Sequence, residues 1–121
     1  MTPSDLLDAT TLQNLVDLDD GQTGLLSEMI AIFRDDTPRR IQAVLEAVAQ
    51  GEAETLSHAA HALKGGAGAL GAEALRLLAS DLEALGRSGS AAGVALTARL
   101  EACYRASLEA LEAYVRTHGN A

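Results

Sequence analysis

The chain is nearly without aromatic residues, with no tryptophan, one phenylalanine and two tyrosines in 121 residues. Any core must therefore be aliphatic. A single cysteine, Cys103, excludes an internal disulfide, and the lack of a Cys-x-x-Cys pair removes the usual sign of structural zinc. β-branched residues are scarce, which argues against a sheet protein. Positive charge is short as well: nine Lys and Arg against seventeen Asp and Glu leave a formal charge of −8. That balance argues against nucleic acid or an anionic membrane surface as a partner. No apolar stretch approaches the length of a membrane span, and the N-terminus lacks a basic-plus-apolar signal pattern. A cytoplasmic protein is expected, with termini that read as those of a free-standing chain.

What is abundant is alanine and leucine, within a hydrophobic fraction of 48%, and both are strong helix formers. Length and composition predict one all-α domain over residues 1–121, large enough for one core. Four periodic segments are expected. The first runs from about Thr23 to Ala49, with Leu26, Ile30, Phe33, Ile41, Val44 and Val48 on one stripe. Pro38 interrupts it, either as the first residue of a helix capped by Thr37 or as a kink in one long helix. The second runs from about Glu52 to Leu70, and "GA" at 71–72 punctuates it. The third, about Ala72 to Leu85, buries Leu75, Leu78, Ala79, Leu82 and Leu85 before the turn "GRSGS". Ser90 is then the expected N-cap of a fourth helix from about Ala91 to Thr117. "TLQNLVDL" predicts a small extra helix near the N-terminus, and "HGNA" a frayed tail. Short connections favour an antiparallel up-down-up-down four-helix bundle, its core spanning about residues 21–118.

The chemistry concentrates in "HAAHALKGGAGALG", residues 58–71, which holds the chain's only lysine, Lys64. On a helical wheel, Leu56, Ala60, Leu63, Ala67 and Leu70 fall within about 40° of one direction. His61 lies about 140° from it, on the exposed side, with Lys64 at about 80° on the flank. His58 lies near the pole opposite the stripe. Glycines inside a helix cost about 1 kcal/mol each relative to alanine. Gly65 and Gly68 nevertheless recur on the His61 face, leaving a bare strip that another backbone could approach. Gly71 reads as the helix cap. Lys64 is three residues after His61, so the two side chains can meet, and an ammonium there would stabilise negative charge arriving on the imidazole.

"AHALKGGAGALG" resembles the signature of the histidine-containing phosphotransfer (HPt) domain family, in which the histidine is followed by x-Leu-Lys-Gly and a further glycine. Here these are His61, Leu63, Lys64, Gly65 and Gly71. The flanks "AIFRDDTPRRIQAVLEAVAQGEAETLSHAAHALKG" and "LASDLEALGRSG" are similar in cadence, so the resemblance covers about residues 25–110. It implies a four-helix bundle that takes a phosphoryl group on His61 from the aspartyl phosphate of a receiver domain, or from a kinase, and hands it to another receiver. Lys64 would be the phosphate's charge partner. Gly65 and Gly68 would give docking clearance, with His58 at the rim. Glu83 matches by spacing a glutamate that hydrogen-bonds the imidazole in chemotaxis-type members; an ordinary flank carboxylate is the alternative. Partners would be response-regulator receiver domains or a hybrid histidine kinase. Magnesium would sit on the receiver, and this chain would carry no cofactor or metal. No glycine-rich phosphate loop is present, so a relay is expected, not an autonomous kinase. A monomer is expected.

Two rivals remain. Glu54, His58 and His61 share one face at helical spacing and could ligate a zinc-like ion. A helical adaptor without phosphate chemistry is the other, and it leaves the lysine and the glycines unexplained.

Overall fold

The computed structural model describes residues 3–90 and 92–118; the tail beyond His118 lies outside them. Among the described residues every regular element is helical. Short helices α1 (Pro3–Leu6) and α2 (Ala9–Leu18) precede the long α3 (Gly24–Ala49), α4 (Ala53–Ala69) and α5 (Glu73–Arg87). A single turn, α6 (Val94–Thr97), leads into α7 (Leu100–His118). Helices α3, α4, α5 and α7 form the bundle. α4 packs along both α5 and α3, and α7 closes the ring against α3 and α5.

Leucine and alanine build the interior, as an aromatic-poor sequence requires. Leu12, Leu26, Leu56, Leu63, Leu75, Leu82, Leu100 and Leu111 are fully buried. Each such side chain contributes about 1.5–3 kcal/mol by leaving water. On α4 the buried residues are Leu56, Ala60, Leu63 and Ala67, which is the stripe the wheel defines.

Pro38 neither breaks nor starts a helix: α3 runs unbroken through it. Phe33, Thr37 and Ile41 are buried on both sides of the proline, so packing carries the stripe straight across. Thr37, 3% exposed, is a core residue and no cap.

The third helix reaches Arg87, two residues past the expected end, which draws Gly86 inside it. Its terminus is at Gly89, φ +85°, where Ser90 N–H bonds the Leu85 carbonyl at 3.1 Å. The fourth long helix starts nine residues later than expected. Ser90 Oγ does accept from Ala92 N–H at 3.2 Å, but the chain then crosses the bundle end. There Gly93 is pressed against Leu82, Leu85 and Val48, and after the single turn α6 the helical ladder is interrupted at Arg99, whose N–H bonds the Leu96 carbonyl at 3.1 Å.

Gly71 ends α4 with φ +73°. Ala72 N–H closes the turn on the Ala67 carbonyl at 2.9 Å. The N-terminal segment crosses at the same point: Asp8 N–H donates to the Gly71 carbonyl at 2.8 Å. Asp8 also heads α2, accepting from Thr10 N–H and the Thr11 hydroxyl at 3.1 and 2.8 Å.

Candidate functional site

His61 lies in the middle of α4 with its side chain 65% exposed. Its ring is held from the neighbouring helix. Nδ1 is 2.6 Å from Oε2 of Glu83 on α5. The same carboxylate accepts Lys64 Nζ on Oε1 and Arg87 Nη2 on Oε2, the latter at 3.1 Å. Two oxygens therefore serve three donors from two helices.

Glu83 is no flank carboxylate; it is buried, 3% exposed, between α4 and α5. A charge in that position survives only when it is paired. The Lys64 hydrogen bond holds the carboxyl below the usual carboxylate range against burial, which pushes it up. The His61 bond and the Arg87 charge add to the lowering. A carboxylate only accepts, so this bond requires a proton on Nδ1, and in the neutral imidazole the lone pair is then on Nε2.

Lys64 sits on the boundary that its wheel position predicts, its side chain 28% exposed. The ammonium is engaged by Glu83 in this state. His58 is exposed and lines a shallow cleft beside His61 with Ser57, Glu83 and Arg87.

The glycines divide by what lies over them. A methyl on Gly65 would meet nothing within 4 Å, so this position is open. At Gly68 it would come within 3.2 Å of Arg76 Cδ; that space belongs to an arginine of α5, itself paired with Glu73 at 2.6 and 2.8 Å. The open position on this face is therefore Gly65, and Gly68 is a seat for Arg76. Gly66 plays the same part for Arg40 of α3, whose Nη1 donates to the Ala62 carbonyl at 3.2 Å. Beyond Arg40, an apolar groove between α3 and α4 is lined by Met29, Ile32, Phe33 and Leu70, with Asp36 on its edge.

Glu54, His58 and His61 do not form a metal site. Among the described residues no group of three or more His, Cys, Asp or Glu side chains is placed to hold an ion. Arg87 is a site residue that sequence reasoning missed. Its only signal is its position four residues after Glu83, the spacing at which the two pair on a helix.

The chain belongs to the Hpt domain family, whose model matches residues 28–114. Histidine phosphotransfer in two-component phosphorelays is that family's role, with receiver domains and kinases as its usual partners. Solved structures similar in fold include the following two. Histidine-containing phosphotransfer protein B of Pseudomonas aeruginosa PAO1 has a TM-score of 0.77 at 24% identity, covering 92% of this chain and 95% of that one. The histidine-containing phosphotransfer domain of ArcB from Escherichia coli has a TM-score of 0.82 at 19% identity, covering 94% and 96%. No curated protein sequence matches the chain. No helix among the described residues is long and apolar enough to cross a membrane.

Proposed function

We propose that His61 is the phosphoacceptor of this bundle, taking a phosphoryl group from a receiver-domain aspartyl phosphate and passing it to a second receiver. The observation that carries the proposal is the setting of the ring: Nδ1 is tied to a buried carboxylate while the side chain as a whole is 65% exposed. The Nε2 lone pair attacks phosphorus in line. The N–P bond forms as the bond to the aspartyl oxygen breaks, and that electron pair leaves with the carboxylate. The Nδ1 proton stays in its bond to Glu83, which stabilises the cationic ring as it develops. Lys64 turns from Glu83 to the phosphoryl oxygens; a flexible point charge suits a group that arrives and leaves. The partner brings the magnesium and the aspartate. The open face at Gly65 lets its loop reach Nε2.

The test mixes the protein with a labelled phosphoreceiver and follows the label. An acid-labile, base-stable phosphate should appear on the wild type and on His58→Gln, and be lost from His61→Gln. Label that persists in His61→Gln and disappears in His58→Gln would overturn the assignment. No label on any form would leave the bundle as an adaptor.

A further inference from the structure

Gly86 reads in the sequence as part of a turn, yet it is buried inside α5, three residues after Glu83. A methyl group there would stand 2.6 Å from the Ser57 amide nitrogen, 2.7 Å from the Ala53 carbonyl oxygen and 3.0 Å from Ser57 Cα. All three are backbone atoms of α4, so no side-chain rotation relieves the contact. Gly93 is the contrast: its nearest neighbours are methyl groups of Leu82, Leu85 and Val48, which can shift. Helix-interior glycine costs about 1 kcal/mol relative to alanine. At Gly86 that cost goes with a direct backbone-to-backbone approach of two helices.

The position of the approach matters. Ser57 is one turn before His61 on α4, and Gly86 is one turn after Glu83 on α5. The backbone contact therefore lies one turn from the Glu83–His61 bond on both helices. To bring the added methyl to ordinary contact at 3.4 Å, the helices must part by about 0.8 Å there. A 2.6 Å hydrogen bond stretched by that amount passes the useful limit of about 3.2 Å.

We propose that Gly86 is a positioning residue for the transfer reaction: its backbone contact with Ala53 and Ser57 sets the α4–α5 spacing at which Glu83 holds the His61 ring. The proposal rests on His61 as the phosphoacceptor. It acts through Glu83, so its signature is the imidazole tautomer as well as the rate. A loss of order 1 Å in alignment costs on the order of a hundredfold in rate.

The experiment compares Gly86→Ala with Gly93→Ala in the full chain, in sucrose and in the cold to keep both folded. Three readouts are taken: the nitrogen-15 imidazole spectrum of His61, charging by phosphoramidate, and transfer from a phosphoreceiver. The result expected is that Gly86→Ala loses the Nδ1–H tautomer signature and at least about tenfold in both rates, while Gly93→Ala keeps all three. In a Glu83→Gln background, Gly86→Ala should cost little more. Wild-type tautomer and rates in Gly86→Ala would overturn the proposal. So would equal losses in Gly93→Ala, additivity with Glu83→Gln, or a Gly86→Ala chain that stays unfolded, because a displaced but intact bundle is required. In the wild type, a missing contact between Gly86 Hα and the Ser57 amide proton would do the same. If the wild type takes no phosphate, the function of His61 fails, and the tautomer comparison still decides the role of Gly86.

Discussion

The Tyr104 hydroxyl on α7 lies 3.1 Å from the carbonyl of Arg34 on α3 and donates to it. Arg34 is four residues before Pro38, so its carbonyl is the one that the missing proline N–H leaves without a helix partner. A tyrosine from across the bundle replaces that bond, and its ring packs on Phe33 at 5.4 Å between centroids.

Tyr104→Phe keeps the ring and removes the donor. The expected loss is about 1 kcal/mol of unfolding free energy. Pairing the change with Pro38→Ala tests the reason: restoring an amide at residue 38 should recover most of the loss. Urea titrations of the two single variants and the double variant give the coupling, and additive effects would show that the two residues are unrelated.

Glu83 carries a pH signature. Its folded pKa is lowered, by the Lys64 hydrogen bond first. The unfolded state therefore binds more protons once pH falls below the ordinary glutamate value of about 4.3. The stabilisation is fully present above that value and is lost as pH falls through the depressed folded pKa. Glu83→Gln should flatten this part of the stability–pH curve, measured by denaturation at a series of acid pH values. An unchanged acid limb would mean that the carboxylate is not held ionised by its partners.

Lys64 and Arg87 should not be equal. Both pair with Glu83, but Lys64 is 28% exposed and Arg87 67%. Exposed pairs contribute roughly 0.2–1 kcal/mol, so Arg87→Ala should change the transfer rate by no more than about fivefold. Lys64→Ala, at the less solvated position, should slow transfer by about tenfold or more with the bundle still folded. Stopped-flow transfer from a phosphoreceiver measures both. A larger effect at Arg87 would exchange the roles of the two cations.

Gly71→Ala should be costly for two separable reasons. The φ of +73° strains any residue with a side chain, by about 1–3 kcal/mol. The new methyl would also press on the Asp8 carbonyl oxygen at 3.1 Å and Thr11 Cβ at 3.2 Å. Beyond a lower Tm, amide exchange should quicken in Ala9–Leu18, which that crossing anchors. Exchange that quickens only around α4 would show that the N-terminal segment does not depend on Gly71.

Much of the bundle is legible from the sequence because its information is local and periodic. The stripe of Leu56, Ala60, Leu63 and Ala67 defines the face of α4 and so exposes His61. The features that escape depend on a second helix. Whether Pro38 ends α3 turns on Phe33, Thr37 and Ile41 packing past it. Where the last helix begins turns on the break at Ala98–Arg99 after the single turn α6, which neither glycine nor proline marks. A glycine at a chain end and one under a crossing helix look alike in sequence, which is why Gly86 reads as a turn and Gly68 as open surface. Glu83 lies at a stripe edge, where rotation alone cannot separate a flank carboxylate from a buried one.

The sharing of Glu83 bears on what a phosphorylated form would present to other molecules. An anionic group on His61 competes with that carboxylate for Lys64 and Arg87, and both cations can answer by rotating side chains that reach the surface. No helix has to move. If His61 is the phosphoacceptor, the loaded and unloaded forms would differ in electrostatic potential over one patch and not in shape, and a partner would distinguish them by charge fit on an unchanged contour.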